Sequence, residues 1–164
     1  MKKVLIFGGC SLVLLYLLIR PFPEVTMLGV VESYDENWGI TLPEPQRFEQ
    51  IWATKYPARG DGEWASVLHY EELSKPTSKD FIQITSNNES VILGMVNRFK
   101  TNSINTYIGN KETQQQIREA FDKTPVEIAI GDYYFHQAKN GGNDYLIGVY
   151  SQAENKVYLL EWHQ

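Results

Sequence analysis

A single cysteine, Cys10, is the whole thiol content of the chain. That excludes an internal disulfide framework and any zinc site built on several cysteines. Basic residues are scarce beside acidic ones: 15 Lys and Arg against 20 Asp and Glu leave a formal net charge of −5. A nucleic-acid partner is excluded on that ground, because phosphate affinity needs a basic face. Seven prolines and 12 glycines in 164 residues are too few for a linker or a fibrous repeat, and no internal repeat or low-complexity run is present. The signatures G-x-S-x-G, H-E-x-x-H, Walker A and G-x-G-x-x-G are all missing, so the familiar serine-hydrolase, metalloprotease and nucleotide-binding motifs are not available to this chain. What remains is 43% apolar and 21% charged, the composition of a folded globular protein.

Charge is distributed unevenly. Residues 4–19, VLIFGGCSLVLLYLLI, hold sixteen positions without one charge, preceded by Lys2 and Lys3 and closed by Arg20-Pro21-Phe22-Pro23. At about 1.5 Å per residue such a helix covers roughly 24 Å, and snorkelling of Lys3 and Arg20 makes up part of the ~30 Å hydrocarbon core. A transmembrane helix is therefore expected, with residues 1–23 as an uncleaved signal-anchor. No small-residue cleavage pattern follows the apolar run. Phe7-Gly8-Gly9-Cys10 faintly resembles a lipidation box, but the main apolar run lies after Cys10 rather than before it. Gly8, Gly9 and Cys10 then read as small residues of the helix. Lys2 and Lys3 outnumber Arg20, so the N-terminus is expected in the cytoplasm and residues 24–164 outside it, as a single-pass protein of the cell membrane.

The pattern of residues 24–164 predicts an α+β domain. Val25–Val31 is β-branched and apolar and reads as a strand. Pro43-Glu44-Pro45 opens a helix in which Phe48, Ile51, Trp52 and Tyr56 fall on one face, ended by Pro57. Trp64–Tyr70 reads as a strand, although Trp64, Leu68 and Glu71 also fit a helix, and Phe81–Thr85 reads as a short strand. Ser86-Asn87-Asn88-Glu89 matches a capping box ahead of Ile92, Met95, Val96 and Phe99 at helical spacing, with a hairpin across Asn87-Asn88 as the competing form. A further helix spans Lys111–Lys123, with Thr113 and Gln116 spaced as a second capping box. Val126, Ile128 and Ile130 then alternate with period two. Tyr133-Tyr134-Phe135 leads into the turn cluster Asn140-Gly141-Gly142-Asn143, and Tyr145–Ser151 and Lys156–Trp162 follow as strands. The expected architecture is an N-terminal transmembrane helix, then one small domain with a C-terminal antiparallel β-meander packed by two or three helices. Within Lys156–Trp162 the Tyr158–Leu160–Trp162 face is expected in the core, and Val157 on a face that Glu161 closes toward solvent.

Residues able to carry chemistry are sparse. The histidines are His69, His136 and His163, and a hydrolase built from His69 or His136 with Glu71, Glu72 or Asp132 is an alternative resting on proximity in sequence alone. Arg59-Gly60-Asp61 spells a tripeptide read by integrins, and Asn88-Glu89-Ser90 is a glycosylation sequon; each is a three-residue match. Aromatics make up 13% of the chain. Those of the meander, with its histidine, form the candidate interaction surface: Tyr134, His136, Tyr145, Tyr150, Tyr158 and Trp162. No catalytic, cofactor-binding or metal residue is assigned.

Together these features favour a membrane-anchored, extracytoplasmic, non-enzymatic protein-binding domain, with residues 4–19 in the membrane and a basic protein as partner. An immunity protein, set where an incoming basic toxin must pass, is one form of it; an envelope accessory protein is another. The alternatives are a small envelope hydrolase using His and carboxylate residues, and an accessory subunit of a membrane complex packed through Gly8 and Gly9.

Overall fold

The computed structural model describes residues 26–55, 61–76 and 78–164. The described residues begin with helix α1, Met27–Trp38. The chain continues through strands β1, Arg47–Ala53, β2, Gly62–His69, and the two-residue β3, Ile82–Gln83. Helices α2, Glu89–Thr106, and α3, Lys111–Lys123, precede the meander of β4, Tyr133–Lys139, β5, Asp144–Ser151, and β6, Lys156–His163. The strands form one antiparallel sheet in the order β1-β2-β6-β5-β4-β3. The expected α+β class and C-terminal meander are present. Residues 4–19, where the transmembrane helix is expected, lie outside the described residues. Among the described ones, no helix is long and apolar enough to cross a membrane.

Two helices cover one side of this sheet and one covers the other. Ile92, Val96 and Phe99 of α2 and Ile117 and Phe121 of α3 pack on Ala65, Val67, Ile147, Val149, Tyr158, Leu160 and Trp162. On the far side, Val31, Tyr34 and Trp38 of α1, with Ile40 and Leu42 beyond it, pack on Leu68, Phe135, Leu146, Tyr150, Val157 and Leu159. The alternate residues of β5 and β6 are thus apolar in both directions because both directions are interior. Val157 is fully buried, which corrects the expectation that its face looks to solvent. Glu161, at the end of that face, accepts from the Trp38 indole at 2.7 Å and from His163 at 2.9 Å.

Two elements differ in type from the sequence expectation. The stretch expected as a strand from Val25 is helix α1. Thr26 caps it by accepting from the Gly29 amide, and Gly39, at φ +68, ends it with a left-handed turn that other residues adopt at a cost. The stretch expected as a helix after Pro45 is strand β1, and its misleading spacing has a structural cause. A β-bulge shifts the register between Gln50 and Trp52. Phe48, ahead of the bulge, packs with the α1-side core, while Ile51 and Trp52 both pack on the opposite side. The bulge lets the adjacent Ile51 and Trp52 share a side, so the strand carries apolar residues at the i, i+3, i+4 spacing of a helix although Phe48 lies on the other face.

Val126–Ile130 forms no ladder; Val126 and Ile128 pack against the core while Ile130 is exposed. Helices α2 and α3 stand where the periodicity places them, but their caps are different residues. Asn110 accepts from the Thr113 amide to cap α3. At α2 the Asn88 side chain turns back, accepting from the Thr85 amide and donating to the Gln83 carbonyl, so the Ser86 capping box does not form.

Candidate functional site

Three groups of residues compete for the functional role: the histidines with their carboxylates, the aromatic set on the meander, and the charged exterior of α1. The histidines find carboxylates, though different ones from those expected. His69 Nε2 lies 3.0 Å from Glu49 and 2.7 Å from the Arg47 guanidinium, in a cavity of about 230 Å³. The Arg47 guanidinium holds the Glu49 carboxyl below its ordinary range, with His69 and Thr124 adding to the effect and partial burial opposing it. Arg47 and His69 are directly opposed across the β1–β2 ladder, so the group clamps two strands at a sheet edge. The His69 Nε2 donates to Glu49 when protonated and accepts from Arg47 when not, never both at once. Glu71 instead accepts from Gln46, Glu72 is exposed, and Asp132 is buried with a backbone amide of Gln152 on Oδ1. None of the three pairs with a histidine. Among the described residues, no cluster of three His, Cys, Asp or Glu side chains is placed to hold a metal ion.

The aromatic set divides across the sheet. Tyr150 is buried on the α1 side, and its hydroxyl donates to the Ser74 carbonyl at 2.5 Å. Tyr158 and Trp162 are buried on the opposite side. Tyr134 and Tyr145 are half-buried there, and His136 is exposed. Tyr145 stacks on Trp162 with ring centroids 6.1 Å apart and planes 1° from parallel. His136 and Tyr145 meet in one cavity; the other four do not contribute to it. Of Arg59-Gly60-Asp61, only Asp61 belongs to the described residues, and it is exposed. The sequon nitrogen, Nδ2 of Asn88, is engaged with Gln83.

The third group is not apparent from the sequence, where α1 reads as a strand. Residues 26–46 contain Glu32, Asp35, Glu36 and Glu44 and no Lys or Arg. All four acids are exposed on α1 or on the segment leaving it, and Glu71 and Glu72 are exposed beyond them. None of the six takes part in an ion pair among the described residues. Helices α2 and α3 are different: residues 89–123 carry five basic residues, Arg98, Lys100, Lys111, Arg118 and Lys123, against four acids, and Lys100 bridges to Asp122 at 2.8 Å. The sheet thus separates a layer with an excess of acid, in which Lys139 lies over the Trp38 ring and Lys75 over the Tyr133 ring, from a nearly neutral one. The sequence mark of this layer is the absence of any Lys or Arg over residues 26–46. Against family models, curated proteins and solved structures alike, the chain shows no significant match.

Proposed function

We propose that this chain is a non-enzymatic protein-binding domain, held to the membrane by residues 4–19 with the domain outside, which receives a basic protein partner on the α1 layer. The observation that carries the reading is the charge asymmetry. Four exposed carboxylates over residues 26–46 meet no base in their own segment and no ion pair among the described residues. An excess of unpaired acid on one side of a small domain steers an oppositely charged partner and orients its approach. The composition of both sheet faces agrees with a binding role, since the sheet is filled on each side by the chain's own helices and the exterior of α1 is left free to meet a partner. An immunity protein facing a basic toxin is the specific form that this charge suits.

The test is affinity capture with the full chain from envelope extract over a salt series, comparing wild type with the double reversal Glu32→Lys, Glu36→Lys. A basic protein retained at low salt, released as salt rises and lost with the reversal is the expected result. Recovery of the chain alone at every salt concentration, or retention unaffected by the reversal, overturns the reading.

A further inference from the structure

We propose that the cavity between α2 and the β4–β5 hairpin binds a carboxylate carried on a small apolar or aromatic body. The cavity measures about 240 Å³. Met95, Arg98 and Asn102 enter it from α2, at i, i+3 and i+7 and therefore on one helix face. His136, Tyr145 and Ile147 enter it from the sheet, where His136 and Ile147 are direct cross-strand partners. Two apolar side chains, Met95 and Ile147, thus stand beside a guanidinium, an amide, an imidazole and a phenol.

The polar groups suit an anion that is planar and accepts several hydrogen bonds. Arg98 presents a fork of N–H donors that matches a carboxylate, Asn102 adds an amide, and the imidazole adds a ring N–H. Arg98 enters no ion pair among the described residues, although the chain as a whole is acidic. No carboxylate lines the cavity, whereas four other cavities of the domain each contain at least one. An acidic protein that leaves an arginine unpaired in a cavity cleared of acids has an obvious place for an anion.

The walls are also pre-organised. Tyr145 stacks on Trp162 and meets the edge of Phe99 at 6.4 Å. Its ring is therefore held before any ligand arrives, which lowers the ordering cost of binding. The volume falls below the roughly 300–1,000 Å³ of pockets for larger ligands and suits a body the size of one amino-acid side chain. Two sources share that chemistry: a free small acid, or the C-terminal residue of a peptide.

Calorimetric titration of the full chain with 3-phenylpropionate, N-acetylphenylalanine and N-acetylphenylalaninamide separates them. Both acids are expected to bind saturably, and the amide at least about tenfold more weakly. Tighter binding of N-acetylphenylalanine assigns the peptide terminus; equal or tighter binding of 3-phenylpropionate assigns the free acid. Arg98→Gln should weaken the acids at least about tenfold, with Arg98→Lys intermediate because it keeps the charge and loses the fork. The His136 ring signals in NMR should move with the acids in wild type. Arg98 is exposed, so thermal unfolding of the variants should match wild type, and Lys111→Gln, remote from the cavity, should bind as wild type. No saturable binding of either acid, equal binding of acid and amide, or an Arg98→Gln variant that binds normally overturns the proposal.

Discussion

Gly148 stands directly opposite Phe135 across the β4–β5 ladder, and the phenyl ring covers it so closely that a Cβ at this position would overlap the ring. Phe135 is itself fully buried, at 0% exposure, with Phe81 against its edge at 5.1 Å. Glycine here makes room for an aromatic ring and is not needed for a left-handed backbone. Gly148→Ala should therefore destabilise the domain by about 1–3 kcal/mol, the usual cost of overpacking a filled core. Shrinking the ring should recover part of it. In denaturant unfolding, the Gly148→Ala, Phe135→Leu double variant is expected to lose less than the sum of the two single losses. Additive losses would mean that the ring does not oppose the new methyl group.

The burial of both sheet faces predicts comparable sensitivity on each. Val157 and Leu160 are both fully buried, the first against the α1 side and the second against α2 and α3. Leu160→Ala should cost about 2–5 kcal/mol, and Val157→Ala about 1–3 kcal/mol, the difference following from the smaller volume removed. Equilibrium unfolding in denaturant measures both. A Val157→Ala loss near zero would place that side of the sheet in contact with solvent.

The sequence was legible where local pattern and tertiary packing agree. Ile92, Met95, Val96 and Phe99, and Ile117 with Phe121, form continuous apolar stripes, and they do lie on helices against the sheet. The meander was legible because Asn140-Gly141-Gly142-Asn143 forces a reversal between two aromatic strands: Asn140, Gly141 and Gly142 all have positive φ. The bulge of β1 was not legible, since one inserted residue moves Ile51 and Trp52 to the same side without any compositional mark. Helix α1 was hidden by β-branched residues whose intrinsic preference is overridden by Thr26, Gly39 and the packing of Val31, Tyr34 and Trp38. Of the cavity residues, His136 and Tyr145 were visible as chemical types. Arg98 and Asn102 were not, because only the approach of α2 to the hairpin gives them a common purpose.

The caps offer a compact check of local structure. Asn110 accepts from the Thr113 amide at the start of α3, so Asn110→Ala should cost about 1 kcal/mol. Ser86→Ala should change little, because the side chain of Asn88, not that of Ser86, occupies the turn before α2. Thermal unfolding of the two variants distinguishes them. A larger loss at Ser86 than at Asn110 would restore the capping box to α2.

Asp132 supplies the pH prediction. It is buried at 5% exposure, and its Oδ2 finds no hydrogen-bond partner among the described residues. Burial raises its carboxyl above the ordinary 3.8; the Ser151 hydroxyl and the backbone amides of Gln152 and Ala129 oppose the rise, and the charge of Glu154 adds to it. A folded-state value above the unfolded one means that the folded chain holds the proton more tightly. The stabilisation is complete below 3.8 and is lost as pH rises through the folded value, so at neutral pH an ionised Asp132 weighs against folding. Asp132→Asn keeps the Oδ1 acceptor for Gln152 and removes the charge. The variant should exceed wild type in stability at neutral pH, with the gap closing as pH falls toward the ordinary carboxyl range. Because every other titrating group is common to both chains, the difference between their denaturant midpoints across pH isolates this one carboxyl. A gap that stays constant or widens on acidification would show that the Asp132 charge is satisfied in the folded protein.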